Sequence, residues 1–204
     1  MKFTNREKKG SKDQYFVVRT SKHIKFLLQN AKRSGVISIH LGCLDQNLLP
    51  DTIHTIWIAI GENKPVAMIE PNMLAPLAKD QLQKLLLTKK IKKVFFDSVK
   101  ECACLKREGL AIGGRKFDVS IAFQLLNAGL AKKKMGLKDI IREYMDEMET
   151  FSFLLEKMDD TIKSAIEKVL ALLVLRKIII KDLRSYDLIE TAELEFECVN
   201  AVID

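Results

Sequence analysis

Three short β-branched runs crowd the first third of the chain, VISIHL at Val36–Leu41, IWIAI at Ile56–Ile60 and VAMIE at Val66–Glu70, while nearly everything after Phe96 has helical periodicity. Runs this short and apolar read as strands, and the Gly61-Glu62-Asn63-Lys64 turn joins the last two, so the three predict a meander. YFVVR at Tyr15–Arg19 and Val94–Phe96 read as further strands. Between them, Ser21 is placed to cap a helix whose Ile24, Leu27, Leu28 and Ala31 recur at helical spacing and which Gly35 ends. Pro76 opens a second helix through Leu77, Leu82, Leu85 and Leu86. Later helices are expected at Ser98–Glu108, Asp118–Asn127 with Asp118 as N-cap, Leu137–Met145, Thr161 to about Ser185, and Asp187–Ile203. Strands first and helices afterwards predict an α/β domain of three layers, a mixed central sheet flanked by helices with a helical C-terminal half.

At 204 residues and 48% hydrophobic content the chain can bury a proper core and is most simply one domain. The polar, lysine-rich start, residues 1–14, reads as a flexible basic tail before a domain at 15–204, and it lacks the apolar stretch of a signal peptide. The longest apolar segment, Val169–Leu175, has seven residues, whereas a bilayer span needs about 20. No membrane partner is expected, and the expected location is the cytoplasm. Cys43, Cys102, Cys104 and Cys198 lack a zinc half-site spacing and read as buried free thiols. The net charge of +7 favours a polyanionic partner, although a solvated lysine surface gives the same balance.

The stretch VFFDSVKECACLKREGLAIGGRKFDVSIAFQLLN, Val94–Asn127, resembles the 3′–5′ exonuclease domain of family A DNA polymerases, the proofreading domain of the bacterial DNA polymerase I type, with a ribonuclease H-like fold. In that family a strand, a helix, a turn and a Phe-Asp-led helix follow in this order. The resemblance implies a site in which carboxylates hold two divalent ions roughly 4 Å apart, because Mg²⁺ is hard and takes oxygen ligands. Aligned on Leu44-Asp45, the two acidic positions of the first motif fall on Ser38 and His40. Aligned on Gly109-Leu110, the second motif falls on Asp97 and Glu101, so one carboxylate survives on a longer arm. Aligned on LLVLRK, the Tyr and Asp of the third fall on Ser164 and Lys168. FFDSVKECACLKREGL is similar to the inactivated exonuclease-like domains of some bacterial polymerases, and IETAELEFECVNAVID looks like the helix that leads to a polymerase domain. No polymerase motifs follow, which implies an excised domain or a free-standing relative.

The resemblance therefore implies a degenerate, inactive exonuclease-like domain without a cofactor, serving as a scaffold or as a weak nucleic-acid-binding module. Its expected partners are DNA, single-stranded by preference, and a polymerase domain in cis or in trans. An alternative is an active nuclease using Mg²⁺ or Mn²⁺ on a site rebuilt from Asp45, Asp51, Asp97 and Glu101. Another is a protein-interaction domain. Two lysine clusters, Lys89, Lys90, Lys92 and Lys93, then Lys132, Lys133 and Lys134, are candidates for phosphate contacts without sequence specificity. Each candidate also has an ordinary reading. Asp97 and Glu101 share one helix face and such pairs are usually solvated, with residual metal contact as the functional reading. His40 fits a hydrogen-bonded histidine at a strand end, Lys168 and the lysine runs fit a solvated surface, and Phe95, Phe96, Phe123 and Trp57 fit core packing before base stacking.

Overall fold

The computed structural model describes residues 15–43, 53–127, 135–145 and 162–203. Among them β1 (Tyr15–Val18), β2 (Val36–Cys43), β3 (Ile53–Ala59), β4 (Val66–Ile69), β5 (Lys92–Phe95) and β6 (Lys116–Asp118) form one sheet in the order β1-β4-β3-β2-β5-β6. β2, β3 and β4 make the expected antiparallel meander. β1 joins β4 in parallel, and β5 and β6 extend the other side in parallel with β2. The sheet is therefore mixed, and its central strands are covered on both faces.

Alternation along the strands decides which face each side chain meets. Ile37, Ile39 and Leu41 of β2, Ile56 and Ile58 of β3 and Phe95 of β5 enter one core with Ile24, Leu27 and Ala31 of α1 (Ser21–Ser34) and Leu82, Leu85 and Leu86 of α2 (Pro76–Leu87). Cys102, Cys104 and Leu105 of α3 (Ser98–Arg107) join the same core. On the opposite face, Val94 and Phe117 pack with α4 (Val119–Leu126), α5 (Leu137–Met145), α6 (Ile162–Ser185) and α7 (Ile189–Ile203). Trp57 and Ala59 meet Ile166, Val169 and Leu173 of α6 there. This is the three-layer α/β architecture with a mixed central sheet expected from the sequence.

Several local expectations change. Thr20, not Ser21, caps α1, accepting from the His23 N–H at 3.3 Å, while Gly35 ends the helix at φ +70° as expected. β6, a three-residue strand too short to show alternation, was not foreseen in the sequence. Trp57 is buried as foreseen and its Nε1 donates to Thr55 Oγ1 at 2.9 Å. Phe95 and Phe123 are buried and Phe96 is partly so. Cys102 and Cys104 are the expected buried thiols, whereas Cys198 lies exposed because α7 leaves that face uncovered. The first residue expected in α6, Thr161, lies outside the described residues, as do residues 1–14. Among the described residues no helix is long and apolar enough to cross a membrane.

Candidate functional site

β2 carries Ser38 and His40 on the face opposite its isoleucines, while α3 carries Glu101 and α6 carries Ser164 and Lys168. Ser38 is fully buried, and its hydroxyl donates to the Val169 carbonyl of α6 at 2.5 Å. That bond places the α6 backbone next to Lys168 directly over β2. Ser164, four residues earlier on α6, is buried and Lys168 is half-buried.

Glu101 projects from α3 toward the end of β2. His40 Nδ1 stands 3.4 Å from Glu101 Oε1, which also accepts from the Leu41 N–H at 3.4 Å. The other oxygen, Oε2, is buried with no hydrogen-bond partner among the described residues. Burial raises the Glu101 carboxyl above the usual carboxylate range, and the hydrogen bond and charge from His40 and the Leu41 N–H oppose that rise. The expectation of a solvated Asp97–Glu101 pair thus fails at Glu101, 8% exposed, because α3 turns this face onto β2. Asp97 instead caps α3, accepting from the Lys100 N–H at 3.1 Å. His40 is the hydrogen-bonded strand-end histidine of its ordinary reading.

The neighbouring helix start is held by a residue that the sequence marked only as a cap. Asp118 Oδ1 accepts from the Ile121 N–H at 2.9 Å, and Oδ2 accepts from both the N–H and the hydroxyl of Ser98 at 2.6 Å. One carboxylate thereby joins the N-termini of α3 and α4. Burial pushes its pKa up to about 6 against the pull of these hydrogen bonds. The FDSV and FDVS repeats, an Asp at the end of each strand, were the available signal for this device.

The lysines separate by position. Lys89 and Lys90 are exposed, Lys92 is half-buried, and Lys93 is fully buried. Lys93 is therefore an interior residue and not a phosphate contact. β5 is covered on both faces, so its stem runs through the core and Nζ donates to the Thr88 and Gly113 carbonyls, both at 2.6 Å. Burial, followed by repulsion from Lys116, lowers its pKa to about 8. Lys132, Lys133 and Lys134, and Leu44, Asp45 and Asp51, lie outside the described residues. Among the described residues no group of three or more His, Cys, Asp or Glu side chains could hold a metal ion.

Comparison with known proteins places this geometry in context. The family model for the DNA polymerase I, ribonuclease H-like domain matches residues 39–148, more than half of the chain. His40, Asp97 and Glu101 fall inside that stretch, and Ser38, Ser164 and Lys168 fall outside it. No curated protein sequence matches. Among solved structures, Escherichia coli RNase D, an exoribonuclease involved in structured RNA processing, is similar at a TM-score of 0.73 and 14% identity, covering 93% of this chain and 51% of its own. Brucella melitensis NrnC bound to pGG is similar at a TM-score of 0.64 and 21% identity, with 83% of each chain covered. Trypanosoma brucei RNase D gives a TM-score of 0.64 at 17% identity, covering 81% of this chain and 64% of its own. At these identities the likeness is one of fold. The chain spans about half the length of the Escherichia coli protein.

Proposed function

Given that the chain belongs to the family of DNA polymerase I ribonuclease H-like domains, we propose that it is a catalytically inactive 3′–5′ exonuclease-like domain, acting as a scaffold for a polymerase domain and as a weak binder of single-stranded nucleic acid. The observation that carries this reading is the chemistry of the donor set. A two-ion site needs several ionised carboxylates converging on one point. Here the positions aligned with such carboxylates hold Ser38, His40, Glu101 and Lys168. The Ser38 hydroxyl is committed to the Val169 carbonyl, and the Glu101 carboxyl is buried, shifted toward its neutral form and paired with His40. These residues do not fit two divalent ions. An ammonium at Lys168 would repel them, and burial of Glu101 disfavours the charged form that binds metal.

The domain reading, with residues 15–204 as one exonuclease-like unit, is part of the same proposal. α7 packs on α3, α4 and β6 and exposes Leu194 and Val202. Those outward apolar side chains support its reading as the helix that leads toward a polymerase domain, in cis or in trans.

The direct test is hydrolysis. The purified chain, freed of contaminating nucleases, is expected to leave 3′-labelled single-stranded DNA and RNA at background level with Mg²⁺ or Mn²⁺, because without the metals nothing offsets the charge that develops at the phosphodiester. Divalent-dependent shortening from the 3′ end would overturn the inactive reading in favour of a site rebuilt with Asp45 or Asp51.

A further inference from the structure

The opposite end of the sheet carries a concavity away from the degenerate exonuclease site. The candidate site described above gathers at the end of β2 and on the helix that follows β5, whereas this pocket is built around the starts of β5 and β6. Val36 at the beginning of β2 pairs with Lys92, which fixes the direction. Along α6, Lys168 and Ile180 are separated by 12 residues, roughly 18 Å of helix.

The pocket has a volume of about 530 Å³, within the size range of small-molecule sites. Phe117, Ile180, Ile189 and Phe196 supply its apolar lining, with the two phenylalanine rings 5.1 Å apart and largely buried. Cations stand around that floor. Lys89, Lys92 and Arg115 line it, and Lys116 contributes from the start of β6. Gly114 draws two of them together. It sits at φ +79°, and a Cβ there would stand 2.8 Å from the Lys89 Cα, so only glycine lets the strand lead lie flush on the Lys89 backbone.

α6 adds more positive charge along one stripe. Arg176, Ile180 and Arg184 are spaced by four residues and so share a helix face. The Arg176 guanidinium lies 5.9 Å from the centroid of the Phe117 ring, and its Nε is buried with no hydrogen-bond partner among the described residues. Facing these groups are Glu193 and Glu197 of α7. The contact between Glu193 and Arg115 is a loose one of 4.0 Å between exposed side chains, so it leaves most of the guanidinium donors available.

We propose that this pocket binds the phosphate group of a small phosphorylated molecule, with Lys92 and Arg115 as its cationic contacts, the Arg176 charge beside the Phe117 ring adding to the positive field and the apolar floor receiving the remainder. A phosphate fits the donors because guanidinium forks and ammonium groups make charge-assisted hydrogen bonds to its oxygens. It also relieves repulsion among the cations. The pKa of Lys92 is lowered by burial, then by Arg176, against an opposing pull from Glu193, with smaller lowering from Arg115 and Arg184, and that of Arg176 is lowered by burial and by Arg184. The inference shares no residue with the degenerate exonuclease site, while Lys89 and Lys92 are also among the phosphate contacts of the nucleic-acid-binding reading.

Calorimetric titration of the full chain at low ionic strength, with inorganic phosphate and separately with deoxyadenosine monophosphate, tests it. One binding event is expected for at least one probe. Arg115→Glu and Lys92→Met should each weaken it about tenfold or more, and Glu193→Gln should tighten it. Arg115 has a side chain 77% exposed, so its substitution leaves the core intact, which circular dichroism checks. Tighter binding of the nucleotide than of phosphate identifies a nucleotide as the source of the group, and equal binding identifies free phosphate. The proposal is overturned if neither probe binds at millimolar concentration, or if binding is indifferent to Arg115→Glu.

Discussion

Glu101 is the residue on which the character of the candidate site turns. One oxygen meets His40 and the Leu41 N–H, and the other is buried without a hydrogen-bond partner among the described residues. Its folded pKa lies above its ordinary 4.5, so from that pH upward through the raised value the folded state holds more protons than the unfolded chain. Stability from this group is therefore present at low pH and lost as pH rises through that window. Glu101→Gln should remove the loss, making the variant more stable than the parent by about 1 kcal/mol near pH 8, with the advantage vanishing near pH 4. Urea unfolding of both proteins at the two pH values checks this, and an advantage independent of pH would mean that Glu101 is not the titrating group.

The same residue belongs to a repair experiment. Ser38→Asp, His40→Glu, Glu101→Asp and Lys168→Asp in one chain replace two poor ligands and an ammonium by oxygen donors and shorten the surviving arm. Four converging acids repel one another, so the variant should lose stability in chelator and recover it with Mn²⁺, since binding to the folded state alone stabilises it. Thermal melts with and without Mn²⁺ are the measurement. A folded variant whose melting point ignores Mn²⁺ would show that the four positions do not form one site.

Two helix starts depend on one carboxylate at the level of elements. Asp118 caps α4 and holds both donors of Ser98 at the start of α3, so Asp118→Ala orphans buried N–H groups at two helices together. A cost of about 2–4 kcal/mol is expected, the sum of a lost cap and of buried bonds to a charged acceptor, read as a lower urea midpoint. Asp118 was legible in the sequence as a cap because its oxygen reaches forward to Ile121 on its own helix. Its grip on Ser98, twenty residues away in the chain, was not, since that contact exists only once β5 and β6 lie side by side in parallel. β6 itself has three residues with Lys116 and Asp118 at its ends, too few to show a period of two.

The positive charge of the whole molecule bears on its partners. Lys89, Lys90 and Lys92 remain accessible for phosphate contact, while Lys93 is withdrawn into the core. Single-stranded DNA should bind at about micromolar or weaker and lose affinity steeply with salt, the slope falling by about 0.7 for each phosphate contact removed. Lys89→Ala with Lys90→Ala should flatten that slope, whereas Lys93→Met should leave it unchanged, as fluorescence anisotropy across a salt series would read. No binding even at low ionic strength would favour a protein-interaction domain, and salt-insensitive, sequence-selective binding would contradict both readings.

The layers, the meander and the identity of the covering helices were readable in the chain, because alternation along a strand and four-residue spacing along a helix are local consequences of backbone geometry. Motif order also located β2, α3 and α6 as the elements that carry the candidate positions. Folding decided what those positions do. Glu101 and Asp97 share a helix face and look alike in the chain, yet α3 presses the first into β2 and leaves the second as a cap. Lys92 and Lys93 are neighbours of identical chemistry, yet the doubly covered strand sends one into a pocket and the other through the core. Burial, and the ionisation that follows from it, depends on what the rest of the chain brings to each side, which only the tertiary structure supplies.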